Sequence, residues 1–292
     1  MAAEISSEKK ALLECVVGAL ADTQGMSAIA LGGSHARGTH IAESDLDIGL
    51  YYREASPFAI SDIRRVAVSL SATGRPTVTE LYEWGPFVNG GAWIDNRTSK
   101  IDFLYRNLDQ LDRVVRDAQA GRWEHHFDQQ PPFGFRSVTT LGEIFYCRPL
   151  ADPAGVLADL KSRVAVFPPA LKQHVVQSTL WLAEFSFMIA ETFARDGDVP
   201  NTVACMTRIH HYLEHALFAL NDTYLVNEKR VARVIQGFGV CPTDFYAKAT
   251  AILGHAGTST KTLCESLEAL KAVWRDVVGL AGEGYRSRFS VA

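Results

Sequence analysis

The chain has 292 residues, 47% of them hydrophobic and 21% charged, an ordinary globular composition and a length that allows two domains with separate cores. Its formal net charge of -4, with acidic residues in excess in the first half and charges balanced in the second, excludes a surface that holds long nucleic acid mainly by charge. Five scattered cysteines with no Cys-x-x-Cys pair exclude a zinc-knuckle or dithiol motif, and with the charged run Glu8, Lys9, Lys10 they lead us to expect a cytoplasmic protein without signal peptide or membrane span.

Residues 8–21 place Leu12, Leu13, Val16, Val17 and Leu20 at helical spacing, so one face of a helix should pack on a sheet. The apolar run 28–31 follows as a short buried strand. It leads into Gly32-Gly33-Ser34-His35-Ala36-Arg37-Gly38, which reads as a strand-to-helix turn whose free N–H groups and helix dipole attract an anion. A second strand ends at 52, with Asp45 and Asp47 at its start. Two residues apart in extended chain, these carboxylates point to one side while Leu46 and Ile48 point to the other. Carboxylates so close repel unless a cation lies between them. All-oxygen ligands favour Mg²⁺ or Mn²⁺, and Mg²⁺ fills its shell with substrate phosphates. A phosphate-binding turn about a dozen residues ahead of such a pair suggests a nucleoside triphosphate site.

A helix is expected over 57–70, then a β-branched strand over 77–82 and a loop carrying Trp84, Phe87 and Trp93, which read as core or as an acceptor wall. Segments 92–94 and 100–105 form the arms of a hairpin. On the second arm Asp102 lies between Ile101 and Phe103, where a carboxylate is costly unless it is paired or holds a cation. Residues 108–120 continue as a helix. His125 and His126, adjacent in an extended segment, face opposite ways and make a poor chelating pair. Residues 141–146 begin the connection to a second half, and Asp152-Pro153 marks a boundary between domains 1–150 and 151–292.

Beyond that boundary the pattern is helical, over 156–164, 168–195, 199–220, 229–236, 242–253 and 258–278, and short loops imply a bundle. The expected fold class is therefore α+β, a mixed sheet followed by an all-α bundle. In the bundle, Glu184 shares a helical face with Trp181 and Met188, and a carboxylate with apolar neighbours acquires a raised pKa suited to a general base or acceptor contact. His211 and His215, four apart, have no third ligand in the pattern and read as structural.

The run Gly33-Ser34-His35-Ala36-Arg37-Gly38 with Ser44-Asp45-Leu46-Asp47 resembles the signature of the DNA polymerase beta-like nucleotidyltransferases. It is similar above all to the bacterial aminoglycoside and lincosamide nucleotidyltransferase branch, although the signature covers only about 20 residues. The resemblance implies a Mg²⁺-dependent (or Mn²⁺-dependent) enzyme of the EC 2.7.7 type. It would move a nucleoside monophosphate, by default AMP from ATP, to a hydroxyl of a small molecule such as an antibiotic. It also implies roles. Asp45, Asp47 and Asp102 would hold metal, with Asp102 as the third carboxylate; Gly33 and Ser34 would hold phosphates, Arg37 would counter their charge, and Lys229 after a bundle loop would touch the triphosphate. Two other readings stand beside it. One is nucleotidyl transfer to a protein or a tRNA end, as in toxin-antitoxin relatives, which a positive strip at Arg64, Arg65, Arg75 and Lys100 would favour. The other is a nucleotide-binding sensor without turnover. The acceptor, the donor base and the oligomeric state are not legible.

Overall fold

A computed structural model describes residues 5–288. The chain forms two compact units, one running to Asp117 and resuming over Trp123–Val166, the other comprising Ala118–Arg122 and the chain from Phe167 onward.

The first unit is built on a six-stranded mixed sheet in the order β3-β4-β5-β2-β1-β8. Helix α1 (Ser7–Leu20) starts at the Ser6 cap, whose hydroxyl accepts from Lys9 N, and buries Leu12, Leu13, Val16 and Leu20. Strand β1 (Ala28–Leu31), buried throughout, runs antiparallel to β2 (Leu46–Tyr52), and between them lies the single-turn helix α2 (Gly33–Arg37). Helix α3 (Ile60–Leu70) follows; Phe58, within the helix expected over 57–70, is instead a buried residue of the preceding loop. The strand expected over 77–82 shrinks to β3 (Thr77–Val78), because the chain then turns. Thr79 N and Oγ1 donate to Gly91 O, and Tyr82 takes a left-handed φ of 61° with its N–H on Asn89 Oδ1. Strands β4 (Gly91–Asp95) and β5 (Lys100–Asn107) form the expected hairpin, and β5 returns parallel to β2. Ile48, Leu50, Ile101, Phe103 and Tyr105 point from one face of the sheet into the core shared with α1 and α3. Each such side chain contributes about 1.5–3 kcal/mol of burial free energy.

Helix α4 (Leu108–Gln119) leads to the two-residue strands β6 (His125–His126) and β7 (Phe135–Arg136), then α5 (Val138–Tyr146). Strand β8 (Arg148–Ala151) pairs with β1, and α6 (Val156–Arg163) packs on α5, with Lys161 Nζ donating to the carbonyls of Phe145 and Cys147. These contacts carry the first unit to Val166, beyond the boundary expected at Asp152-Pro153.

The second unit is helical: α7 (Pro169–Arg195), α8 (Val199–Leu220), α9 (Val231–Ile235), α10 (Phe245–Gly254) and α11 (Thr260–Ala281). Pro169 opens α7, where its missing N–H costs nothing, and the side chain of Asp198 caps α8 by accepting from Asn201 N. Packing of α7, α8 and α11 forms the core of this unit. Among the described residues no helix is long and apolar enough to cross a membrane.

Candidate active site

Strand β1 delivers its chain directly into the α2 turn. Gly32 N donates to Asp47 O (2.7 Å), which ties the entrance of the turn to the start of the metal-candidate strand. Gly33 takes a φ of 57°, and a Cβ placed on it would lie 1.7 Å from Asp47 Oδ2. The Asp47 carboxylate therefore occupies the space that any side chain at position 33 would need. Glycine is required twice over, for the left-handed backbone and for the close approach. Ser34 follows in the first turn of α2, and Gly38, with a φ of 70°, closes the helix through its N–H on His35 O (3.3 Å).

Asp47 is half-buried on β2, and its partner across the parallel ladder is Asp102 of β5. Side chains of residues directly paired in a ladder leave the sheet on the same face, so the two carboxylates stand side by side. Asp102 pairs on its other side with Trp93 of β4, and the Trp93 ring lies 4.3 Å from that of Trp84. This face of the sheet thus presents Asp47, Asp102 and an aromatic pair. Asp45, exposed, immediately precedes β2. Arg37, half-buried, ends α2 and lies close enough to the Tyr146 phenol to act on it electrostatically.

Farther along the same face, Arg106 opposes Tyr51 and makes a two-point ion pair with Glu143 of α5 (2.9 and 3.1 Å). Burial alone would weaken its charge, but Glu143 reverses this and holds the guanidinium more firmly protonated; Asp47 adds to the same effect. Gln129 is buried beside the aromatic loop, accepting from Phe87 N (3.0 Å) and donating to Trp84 O (2.6 Å). Phe87 is core, packed between Phe135 and His126. His125 and His126 go separate ways, the first contacting Phe133 O and the second Glu124.

The bundle residues fall elsewhere. Glu184 is fully buried, where its carboxylate accepts from Tyr285 OH (2.5 Å), from Ser287 Oγ and from Arg288 N (3.3 Å). Its expected neighbour Met188 is exposed, as is Phe185. The carboxylate that helical spacing suggested as a general base is an internal anchor for the C-terminal segment. Lys229 is exposed in the loop before α9, its backbone N–H capped by Asn227 Oδ1 (3.0 Å). His211 and His215 are buried with their rings 4.7 Å apart, and His211 contacts Glu214. Among the described residues no group of three or more His, Cys, Asp or Glu is gathered as a metal cage.

Residues 16–114 match the family model described as a nucleotidyltransferase domain. The match spans β1, α2, β2 and β5, the elements that carry Gly33, Ser34, Asp47 and Asp102. A solved structure, of a nucleotidyltransferase-like protein from Exiguobacterium sibiricum 255-15, is similar over 94% of this chain and 78% of its own at 12% sequence identity, with a TM-score of 0.49. No curated protein sequence matches the chain.

Proposed function

We propose that the protein transfers a nucleoside monophosphate, with ATP as donor, to a hydroxyl of a small-molecule acceptor and releases pyrophosphate, using Mg²⁺ or Mn²⁺. The observation that carries this reading is the register pairing of Asp47 with Asp102, with the Asp47 carboxylate seated against the Gly33 turn, inside the nucleotidyltransferase domain. Asp45, Asp47 and Asp102 are the residues that would hold the cation. Mg²⁺ takes one or two carboxylates and completes its shell with water and substrate phosphates, which suits a donor set of this kind. When bound, the cation neutralises triphosphate charge and acidifies the acceptor hydroxyl.

The chain's own residues perform the remaining tasks. The backbone N–H groups at Gly33 and Ser34 bind the outer phosphates, and Arg37 adds positive charge. Asp102 takes the proton from the acceptor hydroxyl as its oxygen bonds to the α-phosphorus and the bond to pyrophosphate breaks. The Trp84–Trp93 pair, its rings tilted 42° to one another, offers an apolar surface for a ring of donor or acceptor. The positive strip that would favour a macromolecular acceptor is partly neutralised, since Arg64 approaches Glu80 (3.7 Å) and Arg65 is paired with Asp62 (2.7 Å).

The test is a thermal-shift panel of the four ribonucleoside triphosphates with and without Mg²⁺, on the wild type and on Asp45→Asn/Asp47→Asn. A donor at about 100 times its Kd should add about 2.7 kcal/mol, visible as a Mg²⁺-dependent rise that the double variant loses. A wild type that no nucleotide stabilises, and that releases no pyrophosphate with any hydroxyl acceptor in a mass-spectrometric screen, overturns the reading.

A further inference from the structure

Lys9 is a buried lysine held by backbone. It lies on the inward face of α1, one turn ahead of Leu12 and Leu13, and is only 7% exposed. Its ammonium donates to two backbone carbonyls, Ser44 O (2.6 Å) and Ala42 O (2.9 Å). Burying an ammonium is costly unless its protons are satisfied, so the carbonyls that receive them are held in place as firmly as the lysine itself.

Those carbonyls belong to the loop that joins the two halves of the site. Ser44 is the residue before Asp45, and its carbonyl also receives His35 Nε2 (3.2 Å) and, at longer range, Ser99 Oγ (3.5 Å). A carbonyl only accepts, so His35 carries its proton on Nε2, and the buried Nδ1 has no hydrogen-bond partner among the described residues. His35 is 1% exposed, stacks on His40 with ring centroids 4.1 Å apart, and stands in α2 directly after Ser34. Burial lowers its pKa despite the Ser44 contact, and His40, Lys9 and Arg148 push it the same way. The loop is closed on itself by Ser44 N on Ile41 O (3.1 Å), by Ile41 N on Ser44 Oγ (3.0 Å) and by Thr39 N on Ser34 O (3.0 Å).

We propose that Lys9 and His35 are positioning residues that clamp the Ser44 carbonyl and so fix Asp45 and Asp47 relative to the Gly33-Ser34 turn. The functional half of this inference rests on the nucleotidyl-transfer reading; the mechanical half does not. Neither residue touches donor or acceptor. They act by removing the freedom of the loop 39–45, which otherwise lets the carboxylates and the phosphate-binding turn drift apart.

The experiment compares wild type, Lys9→Met, Lys9→Arg, His35→Leu and His35→Gln. Mn²⁺-dependent binding of a non-hydrolysable ATP analogue is followed by electron paramagnetic resonance, amide hydrogen exchange over 39–47 by mass spectrometry, and folding by thermal melt. Lys9→Met and His35→Leu should bind Mn²⁺-nucleotide at least about 10-fold more weakly, the scale seen when partners of a ligating group are lost. Exchange over 39–47 should quicken in both. Gln at 35, which retains a donor near the Nε2 position, and Arg at 9 should restore most of the affinity. If a folded Lys9→Met binds as the wild type does, the inference is overturned; should that variant not fold, His35→Leu against His35→Gln decides on the same terms. A wild type that shows no Mn²⁺-dependent nucleotide binding overturns the functional half together with the reading it rests on. Exchange then decides the clamp alone, faster exchange in the variants upholding it and unchanged exchange overturning it.

Discussion

A single methyl group at position 33 has nowhere to go. It would collide with the Asp47 carboxylate and would also hold a β-carbon at a φ of 57°. Gly32, by contrast, lies at a φ of -114°, and its Cβ would meet Asp47 O at 3.6 Å and Asp47 Cβ at 3.8 Å, ordinary contacts. The two glycines, indistinguishable in the sequence, should therefore respond differently. Gly33→Ala is expected to lose about 1–3 kcal/mol of stability and to lose metal-dependent nucleotide binding, while Gly32→Ala should retain both nearly intact. Urea midpoints and the Mn²⁺-nucleotide titration measure this, and equal effects at the two positions contradict the geometry. Asp102 is the second residue-scale test. Asp102→Asn keeps shape and some hydrogen bonding but removes the proton acceptor, so turnover should fall by about 10²–10⁴ while the fold stays intact.

At the scale of elements, helix α8 is tied to α10 through Glu214. Its carboxylate contacts His210 and His211 at 3.3 Å each and accepts from Tyr246 OH. Burial would raise its pKa, but the histidine and tyrosine hydrogen bonds outweigh this and hold it at about 2, against an ordinary 4.5. A carboxyl lowered on folding stabilises the protein above its unfolded value, and that contribution is lost as pH falls from about 4.5 to about 2. The size is about 3 kcal/mol, to order of magnitude. Glu214→Gln should therefore lower the urea midpoint at pH 7 and flatten its decline between pH 5 and 3; a variant as acid-sensitive as the wild type removes the role. The same elements show what was legible in the chain. Asp47 and Asp102 are readable because strand alternation fixes which way a side chain points once the strand is recognised, and the local motif names the strand. Strand β8 was not readable: four residues including Pro149, with a register shift against β1, carry no alternation, and proline is tolerated there because the strand lies at the sheet edge. Glu184 misled because helical spacing gives a face but not what covers it, and the cover comes from residues 285–288, a hundred positions away. Lys9 did carry a signal, since it continues the Leu12, Leu13, Val16, Leu20 stripe by one turn. A lysine near a chain terminus nevertheless reads as solvated charge unless the carbonyls that receive it are known.

For the molecule as a whole, the division into two compact units means that a ligand need not stabilise all of it equally. Gly33, Ser34, Asp45, Asp47 and Asp102 all belong to the first unit, and Lys229 alone among the expected donor contacts belongs to the second. Mass action stabilises only what the ligand binds, so saturating Mg²⁺-ATP should raise the unfolding transition of the first unit by about 2.7 kcal/mol at 100 times Kd. That corresponds to roughly 5–10 °C for a unit of this size. Differential scanning calorimetry of the full chain, with limited proteolysis during the melt to assign each transition to its unit, makes the measurement. Lys229→Met then separates the two contributions. If the lysine meets the triphosphate, the variant should bind Mg²⁺-ATP about 10–150-fold more weakly, the value of one charge-assisted hydrogen bond. An unchanged titration confines donor binding to the sheet-based unit.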